Sequence, residues 1–325
     1  MMASVDFRRG LVVVVALLAF LFIFASRYLS IENYQIIVKP HSSGPSPTAY
    51  NHIQDKVAVI TDTQYTNRLI PLILHFQSIL GPGWPIVFFT SEETRENHFS
   101  PFSSPKNYTG SAVWQRAVDD GLVEIRTVPS GVDLASRHGV NLYFSRPVCD
   151  SKCLKEGIDR LTVDEWFWEQ LAPAEHVLIF QADSMICANS HRTLDSFLPS
   201  TFIGAPLSRD TQPKKFNGGL SLRNRPLILS ILSSLPPNQT WEAETAAQTY
   251  THGEDAWFSR EMENRGVKLP NRAEALQFAC QGDEHLDTVS EPFGFHKVHR
   301  QIPGRLEEIE RWCPEIALAG PGALG

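Results

Sequence analysis

Cysteine is scarce in this sequence. Five residues, Cys149, Cys153, Cys187, Cys280 and Cys313, allow at most two disulfides and leave one thiol over. Cys149 and Cys153 stand close enough for a local bridge across a turn, and no second Cys or His pair completes a zinc spacing. An excess of positive charge is missing as well. With 29 Lys and Arg against 36 Asp and Glu the formal net charge is -7, which argues against a polyanion-binding surface and against nucleic acid as a partner. There is no internal repeat, and no low-complexity tract outside one Pro/Ser/Gly-rich stretch near the N-terminus. Long uncharged apolar runs are absent too, with one exception.

That exception is LVVVVALLAFLFIFA, from Leu11 to Ala25, preceded by Arg8 and Arg9. Extended through Ile31 with Arg27 snorkelling, it reaches the roughly 20 residues of a spanning helix. A cleaved signal peptide is the rival, but bulky Phe22 and Phe24 spoil the small-x-small pattern a cleavage site needs. The two arginines hold the short N-terminus in the cytosol and send the rest to the lumen, a single-pass type II arrangement expected in secretory-pathway membranes, the Golgi first. The expected organisation is a cytosolic tail at 1–10, a transmembrane signal-anchor at 11–31, a flexible stem at 32–55, a catalytic domain at 56–313 and a tail at 314–325. Two sequons, Asn107-Tyr108-Thr109 and Asn238-Gln239-Thr240, agree with a lumenal domain.

Within that domain the apolar periodicity alternates. Lys56–Thr61 (KVAVIT), Ile86–Thr90 (IVFFT), Leu122–Val128 and His176–Phe180 (HVLIF) read as buried strands. Asn67–Leu80 and Ala112–Asp119 read as the helices between them, and Thr162–Leu171 as a helix capped by Thr162. Further strands are expected at Thr201–Ala205 and Phe216–Leu222, and helices at Pro226–Leu232 and Glu254–Asn264. Alternation of this kind predicts an α/β fold with a mainly parallel sheet covered by helices on both faces.

Four stretches carry residues with chemistry to offer. Gln181-Ala182-Asp183-Ser184 ends the HVLIF strand, where open α/β sheets bind ligands, so Asp183 is the leading metal-ligand candidate; a turn or cap would use the same residue. Asn217-Gly218-Gly219 opens a strand with unhindered N–H donors that a ligand can approach closely. Glu254 and Asp255 sit in the first turn of a helix, whose dipole favours the ionised form a general base requires, although ordinary capping looks the same. Phe293-Gly294-Phe295-His296-Lys297 offers an imidazole for a metal and a cation for a phosphate, a lone histidine being more often structural.

Taken in order, LIFQADS, FNGGLSLR, GEDAWFS and PFGFHK resemble the layout of GT-A glycosyltransferases, with a Rossmann-like sheet. More closely, the chain from Lys56 to Arg300 is similar to an uncharacterised, largely fungal family of GT-A-like proteins with no assigned substrate. The resemblance implies that Asp183 and His296 hold Mn²⁺ or Mg²⁺ and that Gln181, Ser184, Lys297, Thr61, Asp62 and Thr63 meet a nucleotide-sugar donor. It places Asn217, Gly218, Gly219 and Trp257 in the cleft for the acceptor, and Asp255 or Glu254 as the base. Gln181 stands where the metal motif of that fold has its first carboxylate.

The expected activity is therefore metal-assisted transfer of a sugar from a nucleotide-sugar to a hydroxyl of a lumenal glycan, glycoprotein or glycolipid, with inversion if Asp255 drives direct displacement. Gln181 keeps a rival open, a membrane-tethered glycan-binding protein on a transferase fold that has lost its chemistry. A glycoside hydrolase built on Glu254, Asp255 and Asp183 is a third, distinguished by needing no metal.

Overall fold

From Lys56 onward, buried strands and helices alternate in the computed structural model, which describes residues 52–99, 111–129, 157–207, 215–289 and 291–320. The expected anchor at 11–31, the sequon at Asn107 and the Cys149/Cys153 pair lie outside these residues. Among the described residues no helix is long and apolar enough to cross a membrane.

Strand β1 (Lys56–Thr61) is buried at five successive positions and β2 (Ile86–Thr90) at all five of its own, the pattern of strands covered on both faces. Between them α1 (Leu69–Leu80) turns Leu69, Ile70, Leu72, Ile73 and Phe76 inward and stops at Gly81, whose φ of 72° suits glycine. Helix α2 (Ala112–Asp119) opens on a Ser111 side chain that accepts from the Trp114 amide, and it leads to β3 (Val123–Thr127), an edge strand with only Val123 fully buried. The expected bounds hold closely for each.

The helix expected at Thr162–Leu171 is instead two short helices, α3 (Gly157–Thr162) and α4 (Glu165–Glu169). Thr162 closes the first rather than capping the second, because its hydroxyl donates back to the carbonyls of Ile158 and Asp159. Asp164 is the true cap, accepting from the Trp166 amide.

Strands β4 (His176–Phe180) and β5 (Ser184–Ile186) follow, then β6 (Phe202–Pro206) and β7 (Phe216–Asn224). The main sheet has six strands in the order β3-β2-β1-β4-β7-β6. Strands β1 to β4 run parallel, β7 is antiparallel to β4, and β6 is antiparallel to β7, so five of the six share one direction. Phe76 of α1 stacks on Phe180 of β4, joining one helical layer to the centre of the sheet.

The longer helices that follow are α5 (Arg225–Ser234), α6 (Trp241–Ala246), α7 (Glu254–Asn264), α8 (Arg272–Phe278) and α9 (Leu306–Trp312). A second sheet, unforeseen from the sequence, orders β5-β9-β8, with β8 at Ala279–Cys280 and β9 at Gly294–His296. Cys187, just after β5, forms a disulfide with Cys313, and Cys280 is a buried free thiol. Residues Pro314–Ala319, expected in a C-terminal tail, form a helical turn that buries Ile316 and Ala319.

Candidate active site

Strand register brings the candidate residues to one edge. Ile60 pairs with Phe180 and Phe180 with Leu220, so Thr61, Gln181 and Gly219 lie side by side just beyond the carboxyl end of β4. The Gln181–Ser184 turn is fixed there: the Gln181 amide and the Ser184 hydroxyl both donate to the Gly219 carbonyl, at 2.8 and 2.7 Å. Pairing of Ser184 with His296 across β5 and β9 then carries the histidine to the same place.

Asp183 and His296 meet at 3.2 Å, Oδ1 to Nε2, with 5% and 0% of their side chains exposed. The imidazole also reaches Gln181 Oε1 and Gln281 Oε1, each at 3.3 Å. Neither carboxylate oxygen of Asp183 has a well-aligned hydrogen-bond donor among the described residues, although both are covered. Burial alone would raise the Asp183 carboxyl, but His296 and Lys297 outweigh it and hold the group below its ordinary range. Burial and Lys297 lower His296, against the opposing pull of Asp183, which favours the neutral imidazole that ligates metals. A Cβ on Gly219 would collide with His296 and Gln181, so only glycine lets β7 lie against this pair.

These donors suit a hard or borderline divalent cation. A carboxylate with unsatisfied oxygens, a neutral imidazole and an amide oxygen form a mixed N/O set of the kind that Mn²⁺ and Mg²⁺ accept. Among the described residues no group of three or more His, Cys, Asp and Glu side chains is arranged to hold a metal ion.

On the other side of the glycine pair stands the start of α7. The Gly218 amide donates to Asp255 Oδ2 at 2.8 Å, and the Ala256 amide to Oδ1 at 2.7 Å. Glu254 faces inward, both its oxygens taken by Arg223 Nη1 and Nη2 at 2.9 and 3.0 Å. Arg223 is wholly buried, with its guanidinium 4.8 Å from the centre of the Phe202 ring. Its Nε donates to Ser221 Oγ, which in turn donates to the Gly218 carbonyl, so both the N–H and the C=O of Gly218 are tied into this network. Asp159 of α3 completes the group: burial, then the charges of Glu254 and Asp255, push its carboxyl well above the ordinary value.

A family described as "Protein of unknown function (DUF5672)" matches residues 143–296. That stretch contains Gln181, Asp183, the glycine pair, Arg223, Glu254, Asp255 and His296. No curated protein matches the chain. Core-mannan synthase A (CmsA/Ktr4) from Aspergillus fumigatus, in its Mn/GDP form, is 10% identical, with 70% of this chain and 73% of that one covered and a TM-score of 0.40. The apo structure of the bifunctional glycosyltransferase WbbM is 11% identical, with 85% of this chain but 53% of that one covered and a TM-score of 0.42, so this chain spans about half of WbbM.

Other expected residues fall as follows. Thr61, Asp62 and Thr63 are buried at the end of β1, and Asp62 Oδ1 accepts from the Gln64 amide. Asn217 Oδ1 accepts from the Gly219 amide, bracing the glycine pair from within. Lys297 is half-buried in a left-handed conformation, its amide donating to the Asp183 carbonyl. Trp257 does not join the cleft: it is wholly buried and donates its indole N–H to Glu244. Asn238 is exposed in the turn between α5 and α6. Asp159, Gln281 and the Arg223–Glu254 pair were not foreseen. Arg223 carried a signal, since a charge within the apolar strand FNGGLSLRN demands a buried partner; Asp159 and Gln281 sit in stretches with no pattern that marks them.

Proposed function

We propose that the chain is a metal-assisted, nucleotide-sugar-dependent glycosyltransferase, the reading supported above all by the two acidic groups that flank Gly218 and Gly219. Asp183, His296 and Gln181 would hold the divalent cation, which when bound neutralises the charge growing on the departing nucleoside diphosphate. Lys297 adds a positive charge beside that pair, and Thr61, Asp62, Thr63 and Ser184 border the donor. Asn217 and the glycine pair let the donor sugar lie close to the backbone.

Asp255 is the base. Each of its oxygens accepts one backbone N–H and keeps a lone pair free, so the carboxylate is held in place while still able to take a proton. In the transfer, the bond from the anomeric carbon to the diphosphate oxygen breaks, a bond to the acceptor oxygen forms, and the acceptor's proton passes to Asp255. Direct displacement inverts the anomeric carbon. Glu254, engaged by Arg223, holds the helix start in position instead of sharing that role. The acceptor is a hydroxyl of a glycan, glycoprotein or glycolipid in the lumen of the secretory pathway, most specifically the Golgi, reached by a type II signal-anchor at 11–31. The Cys187–Cys313 disulfide supports an oxidising compartment.

The test is calorimetric titration of the purified full chain with a panel of nucleotide-sugars and nucleoside diphosphates, each with and without Mn²⁺. Mn²⁺-dependent binding of one donor, lost in Asp183→Asn, is expected. Folded protein that binds nothing in the panel but retains a glycan would instead establish the non-catalytic binding protein that Gln181 keeps open, and metal-independent sugar release would establish a hydrolase.

A further inference from the structure

His296 holds its ring between two glutamines. Nε2 faces Gln181 Oε1 and Nδ1 faces Gln281 Oε1, each at 3.3 Å, and the residue is wholly buried. A neutral imidazole has one ring proton and can donate from one nitrogen only. The two sides are unequal, because Asp183 Oδ1 also stands 3.2 Å from Nε2 and lacks a well-aligned donor. An imidazole that gives Nε2 to a cation keeps its proton on Nδ1, and in a buried place that proton needs an acceptor.

Gln281 is set where it can be that acceptor. Cys280 of β8 pairs with Phe295 of β9 in parallel register, so Gln281 and His296 follow side by side, one residue past the pairing. The backbone N–H of Gln281 donates to Nδ1 of His285 at 3.1 Å, which pins the chain at the point from which the side chain reaches the ring. Burial, ahead of the charge of Arg272, pushes His285 down to about 4, so this second histidine is neutral and its Nδ1 can accept. Turned over, the Gln281 amide would donate to Nδ1 of His296 and force the ring proton onto Nε2, where the cation has to bind.

We propose that Gln281 is a positioning residue for His296: its side-chain oxygen accepts the Nδ1 proton and leaves the Nε2 lone pair to the cation, with His285 holding the glutamine in register. The use of that cation in sugar transfer rests on the transferase reading; the choice of ring nitrogen does not. An uncharged acceptor fixes the tautomer without placing a second negative charge near Asp183, so the imidazole is a less basic ligand than one backed by a carboxylate.

The experiment takes the full chain with ¹⁵N-labelled histidine, reads the His296 tautomer from ¹⁵N–¹H couplings without metal, and measures binding of Mn²⁺ alone by calorimetry. The native protein is expected to carry the proton on Nδ1. Gln281→Met, similar in volume but with no acceptor, is expected to move it to Nε2 and to weaken Mn²⁺ binding about tenfold or more. Gln281→Glu keeps an acceptor and is expected to keep the Nδ1 proton and bind Mn²⁺ at least as tightly as the native protein. A glutamine that only fills space would give the opposite order, since Met packs there as well and Glu buries a charge. Should Gln281→Met fail to fold, Gln281→Glu decides alone, and weaker Mn²⁺ binding or an Nε2 proton in that variant overturns the proposal. A native Nε2 proton, an unchanged tautomer in Gln281→Met, or Mn²⁺ binding undiminished by that change overturns it as well. A tautomer that shifts in Gln281→Met while no form binds Mn²⁺ keeps the hold of Gln281 on the ring and removes the cation on which the transferase reading stands.

Discussion

Gly218 and Gly219 separate two acidic groups that the fold treats differently. Behind Gly218, Glu254 has a full partner in Arg223, and the arginine is in turn braced by Ser221 and covered by Phe202. Behind Gly219, Asp183 has a histidine at 3.2 Å and two oxygens without an aligned donor. The first group is internally complete and serves to hold Asp255 on the Gly218 amide. The second is left electrostatically unfinished, as a site is when a charged ligand completes it. Two neighbouring glycines thus divide structural from chemical acidity over one residue of chain.

Three substitutions probe that contrast. The largest effect is expected from Asp255→Asn, which should leave donor binding intact and slow transfer by about 10²- to 10⁴-fold. Asp183→Asn should instead remove Mn²⁺-dependent donor binding, and transfer with it, so steady-state kinetics set beside calorimetry tells the two groups apart. If both variants bind and turn over normally, the division fails. Next comes Arg223→Met, which strands the buried Glu254 carboxylate and should cost about 3–5 kcal/mol in urea unfolding. A loss below about 1 kcal/mol would mean that the complete side is not the structural one.

The smallest effect is one of slope. Folding raises the Asp159 carboxyl above 3.8, so it favours the protonated form. That contribution to stability is whole below 3.8 and fades as the pH climbs through the raised folded value. Melting temperature followed from acid to neutral pH should therefore decline more steeply in the native protein than in Asp159→Asn, which should be the more stable of the two at the alkaline end. Parallel curves would show that Asp159 does not share the electrostatics of Asp255.

The main sheet was legible because β1, β2 and β4 are continuous apolar runs that no amphipathic helix would carry. The division of Thr162–Leu171 was not, because Thr162 and Asp164 are both good caps in sequence and only the hydroxyl's bond to Ile158 decides between them. Nor was the second sheet: β8 has two residues and β5 and β9 three each, too short for any periodicity. In the site, Asp183 stood out through its place after a strand, Asp255 at a helix start, and His296 through its imidazole in the aromatic stretch Phe293–Lys297. Their mutual distances, and the capture of Glu254 by Arg223 31 residues away, depend on long-range register that local sequence does not encode.

The stretch that the family of unknown function matches, residues 143–296, begins after β3, whereas the sheet does not. Strand β4 lies at its centre, with β1 hydrogen-bonded along Lys56–Ile60 on one side and β7 on the other. A fragment trimmed to the matched stretch would turn β4 into a bare edge, with Val177 to Phe180 exposed and Phe180 deprived of Phe76. The matched stretch is thus smaller than the unit that can stand in water, and an expression clone drawn along its boundary would yield inclusion bodies rather than a miniature of the protein.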